Sequence, residues 1–264
     1  TKDEMIAFIS QEPEAKQYFR PWYGATEFIY KQPRYFLYLH DCPIGVLRGM
    51  PLAYERVVAV RKFRAASKSG STQAIANRPT AFHVTNIPNG EYLLLPRHST
   101  ENREYIPIGF MPSSALSGDA NLVIATDSLY VFGVLTSSAH MAWMRTVAGR
   151  LKSDYRYSKD IVYNNFIWPN ATDAQKTKIE QTAQGILGAR AKYPNDTYAD
   201  LYDPTVMPYD LRRAHQENDK AVWEAYGRAW PLGDETACVA HLMQLYQQAV
   251  QGEKTKRVDV SVDR

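Results

Sequence analysis

Cysteine occurs only twice in the 264 residues, at Cys42 and Cys238. Two thiols so far apart in sequence make neither a disulfide framework nor a thiolate metal site. Both read as small buried hydrophobes. Long hydrophobic runs are missing too: no stretch approaches the roughly 18 to 20 residues that a membrane-spanning helix needs. No apolar N-terminal stretch has the pattern of a secretory leader, so a cytoplasmic location is the expectation. The six histidines (His40, His83, His98, His140, His215 and His241) are scattered without metal-ligand spacing. The chain has no Walker-type phosphate loop, no G-x-G-x-x-G after a strand, no H-E-x-x-H and no G-x-S-x-G. Gly185 and Gly188 fall inside a helical pattern and so do not mark a cofactor loop. By itself the chain does not read as an enzyme.

The positive signals lie in distribution. Net charge is only +3, yet residues 1–169 carry 19 Lys+Arg against 14 Asp+Glu, whereas residues 170–264 carry 12 against 14. Tyrosine is abundant, at 18 residues. A basic, Tyr-rich first part and a slightly acidic second part suggest two units with different work. Before Pro169 the segments read mostly as strands: residues 27–41, 80–85 ("TAFHVT"), 91–97 ("EYLLLPR"), 105–110 ("YIPIGF"), 121–126 and 129–137 ("LYVFGVLTS"). Turn signals at Pro88-Asn89-Gly90, Pro112-Ser113-Ser114 and Ser117-Gly118-Asp119 separate several of them. Helices are expected over about 53–68 and 139–151. After Pro169 the pattern is helical. Thr172 or Asp173 is placed to cap the first helix, Pro208 opens the second with Gly227 past its end, and Asp234 caps the third. The last dozen residues read as a polar, frayed end. The expected fold class is α+β: a mixed α/β domain followed by a small helical domain.

Three stretches concentrate binding chemistry. Arg61, Arg64 and Lys68 recur at spacings of three and four, within about 60° of one another on a helix. They lead into a Ser69-Gly70-Ser71-Thr72 turn. Such cations neutralise phosphates, and Lys68, Ser69, Ser71 and Thr72 on a close turn suit base edges. A solvated helix face with a polar loop explains the same residues. Second, "PRHSTENREYIP" (96–107) presents Arg97, Ser99, Thr100, Glu101, Asn102 and Arg103 in one loop. Arg suits guanine, Asn adenine, and a carboxylate accepts from cytosine N4; a charged hairpin tip is the plain alternative. Third, "RLKSDYRYSKDIVYNNFIWP" (150–169) interleaves cations with rings. Lys152, Arg156 and Lys159 read as phosphate contacts, Tyr155 and Tyr157 as sugar or phosphate contacts, and Phe166 and Trp168 as core beneath them. Together with Arg61, Arg64 and Arg97, these make the expected backbone-contact set.

"RPWYGATEFIYKQPRYFLYLHD", "ERVVAVRKFRAASKSGSTQAIANRPTAF", "LLLPRHSTENREYIPIGF" and "LYVFGVLTSSAHMAWMRTVAGRLKSDYRYSKDIVYNNFIWP" strongly resemble MmeI-like proteins. Those are type IIL/IIG restriction–modification proteins that fuse an endonuclease to an adenine-N6 DNA methyltransferase. The resemblance implies that residues 19–169 are the family's target recognition domain. Residues 170–264, with "MPYDLRRAH", "DKAVWEAYG" and "VAHLMQLYQQ", look like its C-terminal helical domain. Residues 1–18 would connect to a methyltransferase domain outside this chain. The family's N-P-P-aromatic tetrapeptide and its Gly-containing S-adenosylmethionine motif are both absent; Asp203-Pro204-Thr205 is the nearest triplet and lacks the second proline. No catalytic, cofactor or metal residue is therefore expected in this stretch. S-adenosylmethionine is expected in the missing domain, and magnesium only if the parent carries a nuclease. Glu101 and Arg103 fit the family's Glu-x-Arg specificity pair, and residues 68–72 are implied as a second readout site.

The expected function is recognition of a duplex DNA site for an adenine-specific methyltransferase, with double-stranded DNA and the protein's own methyltransferase domain as partners. Two other classes stand against it. One is a protein-interaction scaffold whose basic strips are merely solvated. The other is a stand-alone nuclease using "PEAK" (13–16), which superficially resembles a Glu-x-Lys metal site but lacks an evident Asp partner on a preceding strand; a capped surface helix is the far better reading of it. RNA binding is a weaker possibility.

Overall fold

Thr1 and Glu4 close the first turn of the opening helix, Lys2–Gln11, as a reciprocal capping box. The computed structural model describes residues 1–83, 87–229 and 234–251. The chain forms two compact units that alternate along the sequence. The first comprises Thr1–Tyr23, Gln32–Asn89 and Ser113–Leu116; the second takes Gly24–Lys31, Gly90–Pro112 and the chain from Ser117 onward.

In the first unit, Ala15, Leu39, Leu47, Met50, Ala53 and Val57 make the core. The helix Pro51–Ala65 has no side-chain cap of its own and starts on proline, which suits a first turn. The buried carboxylate of Glu12 accepts from Leu52 N at 2.7 Å and Ala53 N at 3.1 Å. An anion there also meets the positive end of the helix dipole. Residues 27–41, expected as one aromatic strand, split instead: Ala25–Ile29 is helical and only Arg34–Leu37 is strand. That strand pairs antiparallel with Phe19–Tyr23 in the register Arg20↔Phe36 and Trp22↔Arg34. Alternation puts these side chains on one face. There Trp22, Phe36, Phe82 and Tyr38 stack in sequence with ring centroids 5.5–5.7 Å apart. Arg34 caps the Trp22 end at 4.2 Å and Arg20 the Tyr38 end at 4.1 Å. The expected strand over 80–85 is not seen for residues 80–83, and its remaining residues lie outside the described ones.

The second unit is built on Tyr92–Pro96, buried along its whole length, between antiparallel neighbours Gly109–Met111 and Asn121–Ile124. Residues 129–137 correct the sequence reading: they form the helix Leu129–Leu135, capped by Ser128, and not a strand. Every residue from Tyr130 to Leu135 is buried, and a continuous apolar run carries no period to separate helix from strand. Its Gly133 faces the helix Asp173–Ala191; a Cβ there would sit 2.7 Å from Ile179 Cγ2. The next helix, Ser138–Val147, stops earlier than expected, and residues 149–151 turn into strand. Helices Asp173–Ala191, Tyr209–Ala225 and Glu235–Val250 begin where Thr172, Pro208 and Asp234 placed them, and the second ends just before Gly227. The expected frayed end, 253–264, lies outside the described residues. No helix among the described residues is long and apolar enough to cross a membrane.

Candidate nucleic-acid interface

In the second unit the loop 97–103 and the strip 149–163 meet in one small sheet. Strand Asp154–Arg156 lies between His98–Ser99 and Gly149–Leu151, with His98↔Arg156↔Gly149 and Ser99↔Tyr155↔Arg150 in register. Lys152 and Ser153 form a two-residue tip, and Lys152 takes φ 57°, the left-handed region. Beyond Ser99 the chain tightens: Arg103 N donates to Thr100 O at 3.2 Å. Glu101 and Asn102 stand exposed at the apex. The loop's far foot is fixed, because the buried Tyr105 donates its hydroxyl to Asp219 at 2.7 Å and stacks on His215 at 4.1 Å. An exposed apex on anchored feet is the usual construction of a reading loop.

The charges of this loop are arranged unequally. Glu101 receives a hydrogen bond from Arg150 Nη1 at 3.4 Å. Arg103, half-buried, makes no side-chain hydrogen bond or ion pair among the described residues. Burial holds its guanidinium below the ordinary arginine value. Burial takes water from this guanidinium, and Asp203 and Asp154 attract it without closing an ion pair, which leaves a strong donor in need of an acceptor. Arg97 is exposed, with Nε donating to Asn121 O at 3.2 Å. Lys152 and Arg156 are exposed and Lys159 is half-buried.

Several expected contacts are corrected. Tyr157 is 1% exposed, and its hydroxyl lies 3.0 Å from His140 Nε2. It is a core residue, with burial raising its pKa well above the ordinary phenol value. Tyr155 is buried as well; Arg150 covers its ring at 4.1 Å, and its hydroxyl accepts from Arg150 at 3.2 Å. Both alternate with exposed charged residues, Asp154 and Arg156, so the two rings point inward between outward-facing charges. Ser99 is buried beneath the sheet and cannot touch a base edge. Phe166 and Trp168 are core, as expected.

In the first unit, Arg61 and Lys68 are exposed. Arg64 is corrected: its guanidinium donates to the carbonyls of Ile75 (3.4 Å), Arg78 (2.8 Å) and Ala81 (2.8 Å), tying down the segment after the helix. The 68–72 stretch, expected as a turn, runs into a helix. Ser69 precedes a short helix, Gly70–Ala74, and the Ser69 and Ser71 hydroxyls lie 2.9 Å apart on the exposed side; Thr72 is half-buried. Two side chains that fix local geometry gave no usable sequence signal. Glu12 acts forty residues from its own position. Arg150 registered only as charge, because the hairpin tip Lys152-Ser153 lacks the Asn-Gly or Asp-Gly that announces a two-residue turn. No group of three or more His, Cys, Asp or Glu side chains able to hold a metal occurs among the described residues.

A fixed polar loop beside a basic hairpin, carried on a compact unit that also holds the three long helices after residue 172, has the construction of a recognition module. Residues 1–170 match the family model of the MmeI target recognition domain and residues 171–252 that of the MmeI C-terminal domain; the chain belongs to this family. It is 34% identical over 248 residues to DNA methyltransferase A of Bacillus subtilis (strain 168), covering 94% of this chain and 28% of that protein. A solved structure of the type IIL restriction–modification enzyme MmeI in complex with DNA matches with a TM-score of 0.90 and 41% identity, over 95% of this chain and 33% of that one. The chain thus spans about a third of the length of these relatives.

Proposed function

We propose that this chain reads a specific duplex DNA site on behalf of an adenine-N6 methyltransferase of a restriction–modification system. The observation that carries the reading is Arg103: a half-buried, unpartnered guanidinium two residues from Glu101, on a loop anchored at both feet. From the tight turn that Arg103 N closes on Thr100 O, Arg103 would donate to guanine O6 and N7 while Glu101 accepts from cytosine N4 of the same pair. Asn102 and Thr100 flank them at the apex. Lys152, Arg156, Lys159 and Arg97 would neutralise phosphates around this contact, and Arg61 would do so on the first unit. Lys68, Ser69, Ser71 and Thr72 form the candidate second readout site. The relatives' names and the DNA-bound neighbour support the reading.

The role is positional. The module holds a target adenine where a catalytic domain outside this chain can extrude it. S-adenosylmethionine would supply the methyl group there, and magnesium would matter only if the parent also cleaves. The setting is bacterial and cytoplasmic in this reading. Titrating the full-length protein against mixed duplex DNA at low and raised salt tests it. Duplex binding that weakens steeply with salt, and is not displaced by duplex RNA, is expected; salt-independent or absent binding would return the chain to the scaffold class.

A further inference from the structure

We infer that Arg150 is a specificity-positioning residue: clamped on Tyr155, it orients the Glu101 carboxylate and keeps it from neutralising Arg103. The inference rests on the reading of the 97–103 loop given above.

The clamp has three parts, all within the hairpin. The Arg150 guanidinium lies 4.1 Å over the buried Tyr155 ring. Its Nη1 donates to Ser153 O at 2.7 Å and its Nη2 to Tyr155 Oη at 3.2 Å. The strand register sets this up, because Ser99, Tyr155 and Arg150 are cross-strand neighbours and Glu101 follows two residues after Ser99. With the guanidinium already immobilised, the contact to Glu101 Oε2 freezes only one side chain. Ordinary surface pairs must order two, which is one reason that they contribute so little.

Both partners are nearly half exposed, 45% for Arg150 and 46% for Glu101. Such a pair adds little to folding, so its value must lie in geometry. One carboxylate oxygen of Glu101 meets Arg150, which leaves Oε1 to accept from a base. Glu101 and Arg103 are also opposite charges two residues apart, and the simplest outcome would be mutual pairing. That pairing would cost each its base partner. Instead the loop's anion is held by a cation from the neighbouring hairpin, and the loop's own cation is left without a partner.

The test uses the full-length protein and duplexes carrying the cognate site or a single substituted base pair at each position, with methylation rate as the readout. E101Q is expected to lose discrimination at one base pair. R150A should lose about threefold to tenfold of discrimination at that same base pair and leave the other positions intact. R150K, which keeps the charge but not the planar stack, should fall between wild type and R150A. An R150A or R150K effect spread evenly over all positions would mark a backbone or structural role and overturn the inference. So would an unchanged profile in both variants while E101Q is altered. If E101Q itself changes no position, the reading of the loop fails, and the inference fails with it.

Discussion

Tyr105 donates its hydroxyl to Asp219 Oδ2 at 2.7 Å, across 114 residues of sequence. The other carboxylate oxygen accepts from Ser138 N at 2.7 Å. The foot of the 97–103 loop is thereby tied to the helix Tyr209–Ala225 and to the start of Ser138–Val147. Burial pushes the Asp219 carboxyl up to about 7, against hydrogen bonding from Ser138 and Tyr105 that pulls it down.

A pH dependence follows from Asp219. Its folded value lies above the ordinary unfolded one, so between about pH 4 and pH 7 the folded protein holds a proton that the unfolded chain has released. The stabilisation from this group is complete below that window and is lost as pH rises through about 7. His140 and His215 act oppositely: burial lowers both, so their contribution falls as pH drops below about 6.5. Comparing wild type with D219N cancels the histidines. The wild type should gain on D219N by up to a few kcal/mol from pH 8 to pH 5 in denaturant melts; a constant difference would mean that Asp219 does not titrate in this range.

Glycine substitutions should separate by position. G133A places a methyl group 2.7 Å from Ile179 Cγ2 and 3.0 Å from Asn218 Oδ1, so a loss of about 1–3 kcal/mol is expected. Gly185 lies inside the helix Asp173–Ala191, and a methyl group there would meet nothing within 4 Å. G185A should gain about 0.5–1 kcal/mol. Equal effects in thermal or chemical unfolding would refute the packing assigned to Gly133.

Removing the guanidinium of Arg103 should relax recognition at one base pair by about 1–3 kcal/mol. Methylome sequencing of a host expressing the complete R103A protein should show the modified motif degenerate at a single position. A motif unchanged in sequence and occupancy would sink the assignment.

Lys152 and Arg156 carry no sequence information in this scheme. K152A and R156A should each weaken binding to cognate and random duplexes alike. Each substitution frees one phosphate of its cation, so the log–log salt slope should become shallower by about 0.9. Slopes identical to wild type would place both side chains off the DNA.

The helical half was legible because its signals are local. Thr172, Pro208, Gly227 and Asp234 sit at helix ends where capping chemistry is written in neighbouring residues. Residues 129–137 misled because a fully buried run erases periodicity. The 27–41 segment misled because its aromatics serve both a short helix and an Arg-capped ring stack. Within the candidate site, the loop 97–103 stood out by its density of donors and acceptors. Tyr157 and Arg64 did not declare themselves as structural, since whether a tyrosine points inward or an arginine meets carbonyls ten to twenty residues on depends on tertiary placement.

Glu12 carries a practical lesson for swapping specificities between relatives. A chimera cut just ahead of Phe19 would discard the carboxylate on Leu52 and Ala53, leaving the amide end of the Arg61-bearing helix bare. A portable cassette would therefore have to begin upstream of the candidate interface residues.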